Sequence, residues 1–223
     1  MNRKEFIAKA IFGIAAIPML LESCKDSSTS NETDICALIP EEDTGPYVLD
    51  LASNPILFRR DITEGKPGIP LNFTFKLFNV RNNCAPIVNA RVDVWHCDKE
   101  GLYSGFKIPD RIDTTGQTFF RGIQLTDKNG HAVFKTIYPG WYQGRTVHIH
   151  FKVHPDTNKV FTSQLFFDDS FTDQVFTAQP YAAKGTRNTR NVNDGIYEDQ
   201  LLVNATKTAD GYAAPFDIGM QLS

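Results

Sequence analysis

Hydrophobic and polar residues alternate in short runs along most of the chain after residue 35. In the run LNFTFKLFNV (71–80), one side of an extended chain carries Leu71, Phe73, Phe75 and Leu77. Alternation with a period of two is typical of a strand that buries one face. The same pattern predicts further strands over residues 90–98, 131–139, 146–153 and 160–169.

Glycine-bearing turns separate these runs. The segments DKEG (98–101) and DKNG (127–130) have a similar composition, and the pair Asp210-Gly211 predicts a turn between two final strands. No long amphipathic helix is evident. Many short strands at hairpin-like intervals favour a single all-β domain over residues 35–223, either a sandwich or a barrel.

The first 34 residues differ in composition from the rest of the chain. A basic start precedes the apolar run 10–21, which is too short to span a bilayer as a helix. The segment LLESC then ends at Cys24 and resembles a bacterial lipoprotein cleavage site. We therefore predict a signal peptide over 1–23, lipidation of Cys24 and a polar, flexible tether over 24–34.

This leader predicts an exported protein that touches a bacterial envelope membrane only through its lipid anchor, on the periplasmic or the outer side. Release as a secreted protein is an open alternative. An ordinary secretory peptide also fits the leader, and the segment NRKEFIAK resembles a degenerate twin-arginine signal.

Cysteine usage is consistent with export. If Cys24 is lipidated, Cys36, Cys84 and Cys97 remain, and an exported protein can hold a disulfide. Cys36 and Cys84 lie in loop-like contexts, whereas Cys97 ends a strand pattern. These contexts favour a Cys36–Cys84 bond, although sequence alone leaves the pairing open.

The overall composition is that of a soluble globular protein, with 41% hydrophobic and 22% charged residues. Its 12 Pro, 15 Gly and 17 Phe support a fold rich in strands and turns. The formal net charge of -3 provides no basic surface for nucleic acid, so we expect no such partner.

The segment TVHIHFKV (146–153) carries the first candidate chemistry. In a strand, His148 and His150 share one face, and the apolar residues between and after them share the other. A lone pair of this kind most often lies on a wet polar face. Two imidazoles on one face can also bind a single metal ion.

Nearby tyrosines bear on which metal such a pair would bind. Tyr142 lies just before the histidines, with Tyr138 and Tyr103 further upstream. A phenol, with a pKa of about 10, becomes a ligand at neutral pH only when a strong Lewis acid such as ferric iron removes its proton. A zinc site lacks its usual third ligand here, because the sequence has neither a nearby Cys pair nor an HExxH motif.

Several motifs together resemble the intradiol ring-cleavage dioxygenases, of the catechol and protocatechuate 3,4-dioxygenase type. They are DTGPYV (43–48), ARVDVWHCDKEGLYSGF (90–106), the long segment 119–153 that includes PGWYQGRTVHIHF, and SQLFF (163–167). They occur in the family's order over most of the chain after residue 35. The resemblance is greatest to the exported, single-chain branch, and it implies a single-domain β-sandwich.

The resemblance also implies a site. The family holds non-haem Fe(III) with two tyrosines and two histidines, which match Tyr103, Tyr142, His148 and His150. Arg145 matches an arginine that faces the substrate, where its charge could stabilise electron density on a bound catecholate. Alternatively, Arg145 forms an ion pair at the rim of the site.

Other positions match the family less specifically. Tyr47 matches a tyrosine that lines the substrate pocket, and Gln164 matches a glutamine near the family's arginine. Tyr142 is implied to act also as a base when substrate displaces it. Trp95 is expected in the core beneath the site, whereas His96, His131 and His154 match no motif and are interpreted as structural or surface residues.

The implied reaction cleaves a catechol with O2 between its two hydroxylated carbons and gives a muconate-type product. The expected partners are therefore a small aromatic diol and O2. Two other hypotheses remain open at this level. One is a non-catalytic sandwich of the transthyretin-like or carbohydrate-binding type, and the other is a zinc or copper hydrolase that uses His148 and His150.

Overall fold

A computed structural model of the protein describes residues 36–109, 112–156 and 158–222. The predicted signal peptide, the Cys24 lipidation site and the tether lie outside the described residues. Within the described ranges, none of the helices is both long enough and apolar enough to cross a membrane. The strands and the helix are β1 (Pro70–Asn79), β2 (Ala85–Pro86), β3 (Arg91–Trp95), β4 (Arg121–Leu125), β5 (His131–Ile137), β6 (His148–His154), β7 (Phe161–Phe167), α1 (Asp169–Phe176), β8 (Leu202–Val203), β9 (Thr206–Lys207) and β10 (Tyr212–Met220).

The strands form two five-stranded sheets. In the first sheet, β1 pairs in parallel with β10 and antiparallel with β5 and β2, and β9 pairs with β10. The second sheet has the order β4-β3-β6-β7-β8, antiparallel except for the β7–β8 pair. The all-β sandwich predicted from alternation and from the resemblance is confirmed, and a barrel is not what these strands form.

An aromatic core fills the space between the sheets. On β1 and β5, Phe73 and Phe134 stack with their ring centroids 5.1 Å apart. Phe75 of the first sheet meets Phe151 of the second at 4.8 Å. All four rings are fully buried, as alternation in β1 and β6 predicts, so hydrophobic burial of alternate residues is what joins the two sheets.

The opposite face of the second sheet is also buried, and this determines where the site lies. Ile149 and Phe151 of β6 point into the core, and His148 and His150 point away from it. Both histidines are nevertheless at most 2% exposed. The frequent outcome for such a pair, a wet polar face, is therefore wrong for this protein, because loops cover the outer face of the sheet.

Strands β2 and β4 and the helix α1 are absent from the predicted strand pattern. Strand β4 is too short for its alternation to stand out, and α1 interrupts the run that predicts a strand over 160–169. That strand ends at Phe167, because the Asp168 side chain accepts a hydrogen bond from Phe171 N at 2.8 Å and caps the helix. Local capping therefore overrides the continuing apolar pattern.

A disulfide joins Cys36 to Cys84 across 48 residues of sequence. It connects the start of the described chain to the turn between β1 and β2. Cys97, the remaining described cysteine, is free and buried. This is the pairing that the loop-like contexts favour.

Loss of this disulfide should destabilise the domain. The double variant Cys36→Ser/Cys84→Ser is expected to lose roughly 2–5 kcal/mol of unfolding free energy, because the unfolded chain regains the entropy of an open loop. Denaturant unfolding of both proteins measures the difference. A reductant should bring the wild type to the stability of the variant and leave the variant unchanged; equal stability of the two oxidised proteins would contradict the prediction.

Candidate functional site

Four side-chain donor atoms converge on the outer face of the second sheet. The Nε2 atom of His148 lies 3.1 Å from Nε2 of His150, 3.2 Å from the Tyr103 hydroxyl and 3.2 Å from the Tyr142 hydroxyl. The structure thus brings together all four residues that match the ligand set implied by the resemblance. They come from β6 and from two loops, and Tyr103 is 45 residues away from His148 in sequence.

Strand β6 and its neighbours hold the two imidazoles in place. His148 Nδ1 lies 2.6 Å from the Thr146 carbonyl, to which it donates its proton, so Nε2 carries the lone pair. The His150 ring stacks on Trp95 of β3, with centroids 5.0 Å apart and planes 2° from parallel. Trp95 therefore lies beside the site, on the same sheet face as His150, rather than beneath it in the core.

The loop that carries Tyr103 approaches the Tyr142 loop very closely. Gly101, with a positive φ of 78°, is the point of contact. A Cβ atom there would lie 2.4 Å from the Trp141 carbonyl oxygen, so only glycine fits both the conformation and the space. Tyr47 stacks on Tyr103 at 4.4 Å and meets Tyr142 edge-on, which closes the cluster from a third loop.

Burial sets the protonation of the four donors. It lowers the pKa of His148 to about 3, with the charge of Arg145 as the next cause. Burial followed by the neighbouring His148 lowers the pKa of His150 well below its ordinary value. Burial also raises the pKa of Tyr103 and of Tyr142. At neutral pH and without a metal, the cluster is therefore two neutral imidazoles and two neutral phenols.

This donor set fits a single metal ion. Neighbouring ligands about 2.0–2.2 Å from one ion lie roughly 3 Å apart, close to the separations within this cluster. In the described part of the chain, no group of three or more His, Cys, Asp or Glu residues could hold a metal. The side-chain donors beside the two histidines are the hydroxyls of Tyr103 and Tyr142, and phenolate ligands require a strongly acidic metal such as Fe(III).

Arg145 lies at the edge of the cluster and is held by two partners. Its Nε donates to the Asp194 carboxylate, 2.9 Å from Oδ2, and one of its terminal nitrogens donates to Gln164 Oε1 at 2.7 Å. Gln164 in turn donates to the Asp43 carbonyl at 3.0 Å. Arg145 and Gln164 are thus neighbours, as the resemblance implies, and Arg145 also makes an ion pair, so its two interpretations are compatible.

Two residues that the sequence analysis did not single out support the site from the segment 191–196. Besides binding Arg145, Asp194 accepts a hydrogen bond from Thr146 N at 2.8 Å. Asn191 Oδ1 accepts one from the Thr146 hydroxyl at 2.6 Å. Since Thr146 carries the carbonyl that orients His148, both residues act on the histidine through it. The only signal in sequence is a polar stretch, which resembles any exposed loop.

A buried cation lies on the other side of Trp95. Arg121 is directly opposite Trp95 in the β3–β4 register and is fully buried. It donates to the backbone carbonyl and the hydroxyl of Ser104, next to Tyr103, and its Nη1 has no hydrogen-bond partner among the described residues. Arg121, Trp95, His150 and Gln164 thus form one row across four strands.

The remaining candidates lie away from the cluster. His96 is buried and bonded to Thr136 at 2.7 Å, and His154 is 3.1 Å from Asp93. His131 begins β5 in the first sheet. Tyr138 points into the core, where its hydroxyl is 2.8 Å from that of Thr172. The structure brings none of these four to the donor atoms.

Comparison with known proteins identifies the relatives of this chain. The sequence profile of a family described as "Dioxygenase" matches residues 44–220. A chlorocatechol 1,2-dioxygenase of Pseudomonas putida is 30% identical in an alignment of 145 residues that covers 56% of this chain and 52% of that protein. A catechol 1,2-dioxygenase of Acinetobacter baylyi is 32% identical in an alignment of 101 residues that covers 36% of this chain and 30% of that protein. The chain thus spans about half, or less, of the length of these curated relatives.

Solved structures agree with this relationship. An intradiol ring-cleavage dioxygenase from Tetranychus urticae superposes with a TM-score of 0.76 at 31% identity, over 83% of this chain and 95% of that one. The dioxygenase domain of a dioxygenase–carbohydrate-binding fusion protein from a Streptomyces species gives 0.62 at 28% identity, over 84% of this chain and 100% of that one. On its sequence profile and its fold, this chain belongs to the intradiol ring-cleavage dioxygenase family.

Proposed function

We propose that this protein is a non-haem Fe(III) dioxygenase that cleaves the ring of a catechol between its two hydroxylated carbons. The bond between those carbons breaks, both atoms of O2 enter the product, and each carbon becomes part of a carboxyl group, as in a muconate. The observation that supports this proposal most directly is the convergence of two neutral imidazoles and two phenols around His148 Nε2. A ferric ion bound by these four residues would make a chelated catecholate electron-rich enough to react with O2.

The chain's own residues would prepare the substrate for that reaction. Tyr142 is the more exposed of the two tyrosines, and as a phenolate it can accept a proton from an entering catechol hydroxyl. Gln164 and Tyr47 border the donor atoms and can orient the ring. The guanidinium of Arg145, held by Asp194 and Gln164, offers fixed donors at the same edge.

We also propose that the protein is exported and lipid-anchored to a bacterial envelope membrane through Cys24. The support is the leader sequence, together with a Cys36–Cys84 disulfide that an oxidising compartment would preserve. Incorporation of a labelled fatty acid into the wild type, and its loss in Cys24→Ala, would test this localisation.

Iron, colour and oxygen uptake test the function together. Purified protein loaded with Fe(III) should bind one equivalent and show the visible charge-transfer band of a ferric tyrosinate. Tyr142→Phe and His148→Ala should weaken or abolish the band, because each removes a ligand. Both should lower catechol-dependent oxygen uptake by roughly 100-fold or more, the scale of losing a catalytic acid–base group.

Two matched variants serve as controls. Tyr212→Phe and His131→Ala make the same chemical changes in the first sheet and should keep both colour and activity. Iron-free, colourless protein after loading would contradict the proposed cofactor. Full colour in Tyr142→Phe and His148→Ala would instead show that the assigned ligands are wrong.

Proton release on metal binding offers a second test that does not depend on turnover. Because burial raises the pKa of Tyr103 and Tyr142, both phenols should be protonated in metal-free protein at neutral pH. The histidines should release no proton above about pH 5, since the pKa of His148 is about 3 and that of His150 is also depressed. Titration with Ga(III), a redox-inert substitute, should therefore give an ultraviolet difference signal for two tyrosinates.

The single variants calibrate this signal. Tyr103→Phe and Tyr142→Phe should each halve it, and Tyr212→Phe should not change it. If the wild type shows no tyrosinate signal at saturating Ga(III), the two phenols are not ligands.

A further inference from the structure

The charge of Arg145 is already matched by a carboxylate of the protein. Asp194 contacts its Nε through both oxygens, at 3.2 and 2.9 Å, and the Asp194 side chain is only 1% exposed. Asp194 is also fixed by the backbone N–H groups of Thr146 and Ile196, at 2.8 and 3.0 Å. The pair is therefore a rigid, nearly neutral unit rather than a free cation at the edge of the site.

Two further carboxylates lie on the same side of the site. Glu42 precedes Asp43, whose carbonyl accepts a hydrogen bond from Gln164. The backbone N–H of Glu42 donates to the Thr162 carbonyl of β7 at 2.9 Å. Glu198 follows Tyr197, whose ring contacts Phe166 of β7 at 5.3 Å. The N-terminal segment that carries Glu42 and the segment after Asp194 that carries Glu198 thus both pack on β7.

These acidic groups are close enough to influence one another. Burial raises the pKa of the Glu42 carboxyl, and the charges of Glu198 and Asp194 raise it further, while the charge of Arg145 lowers it. Asp194 contacts the Arg145 guanidinium, and Glu42 lies within electrostatic range of Arg145, Asp194 and Glu198. The edge of the site that Arg145 and Gln164 form carries a net negative charge when all four groups are ionised.

We propose that this edge selects the substrate by charge, favouring catechols whose ring substituent is neutral or cationic over catechols that carry a carboxylate. The inference rests on the proposed ring-cleaving function, and it specifies the substrate class for the same site. An anionic substituent directed at Arg145 would meet Asp194, Glu42 and Glu198 as well. A cationic substituent would be attracted by the same three groups.

Three catechols that differ only in the charge of one substituent provide the test. They carry an ethyl, an aminoethyl or a carboxyethyl group at the same ring position, so a saturated spacer separates the charge from the reacting ring. For the iron-loaded wild type, kcat/KM should be lowest for the carboxyethyl compound and highest for the aminoethyl compound. The difference should shrink as ionic strength rises, because salt screens charges near the surface.

Charge variants then locate the effect. Glu198→Gln and Asp194→Asn should each lower the ratio of kcat/KM between the aminoethyl and carboxyethyl catechols, by roughly two- to fivefold per charge at low salt. Asp194→Asn should have the larger effect, since it leaves Arg145 without its contacting carboxylate. Asp217→Asn is the matched control, because it removes an equal charge from β10 in the other sheet.

The ratio distinguishes charge selection from structural damage. A variant that merely disturbs His148 would lower kcat/KM for all three catechols and leave their ratio unchanged. Glu198 is exposed and its side chain caps no helix, so Glu198→Gln should fold even if Asp194→Asn does not. A wild type that favours the carboxyethyl compound, or a ratio that stays the same in both variants, would overturn the proposal.

Binding separates this inference from the proposed function. Quenching of tryptophan fluorescence in metal-loaded protein measures the affinity for each catechol without turnover. A charge preference in binding without any ring cleavage would contradict the function, although the edge would still discriminate ligands by charge. Cleavage of all three compounds with equal affinities would support the function and overturn the inference.

Discussion

The site depends on one constraint, which is that polar donor atoms buried on the outer face of a sheet must find partners. Alternation in β6 directs Ile149 and Phe151 into the core, so His148 and His150 have to point the other way. Burial keeps both imidazoles neutral and leaves the lone pair of His148 Nε2 facing three other donors. Buried polar atoms without partners are costly, and a shared metal ion would satisfy all four at once.

The covering loops can lie this close because their backbones make room for one another. Gly101 permits the Tyr103 loop to contact the Tyr142 loop. Gly45, with a φ of 67°, lies so close to the His150 ring that a Cβ atom at this position would be 3.1 Å from it. The water-excluded environment that shifts the pKa of the donors therefore depends on glycines that bear no reactive group. The rigid strand β6 and the close packing of these loops both hold the donor atoms in place.

Charge around the site is distributed unevenly between its two sides. On the β4 side, Arg121 is buried with hydrogen bonds but no carboxylate within salt-bridge distance among the described residues. On the β7 side, Arg145 is paired with Asp194, and Glu42 lies within electrostatic range of both. A cation without a counter-ion lies next to the tyrosine loop, where negative charge would develop on binding a metal. A cation compensated by a carboxylate lies on the opposite side, beside Gln164.

The sequence by itself determined the strand faces and the candidate ligand residues. Alternation placed Phe73 and Phe151 in the core and both histidines on one face, and the motifs around Tyr103 and Tyr142 indicated their partners. These features are local, because each depends on residues a few positions apart. Only the tertiary structure decided that the histidine face is buried and that Trp95 stacks on His150. The register of the sheet and the packing of loops over it depend on residues that are far apart in sequence. The same holds for Asp194, which is 49 residues from Arg145 in an ordinary polar stretch and acquires its role only when the chain folds that stretch against β6.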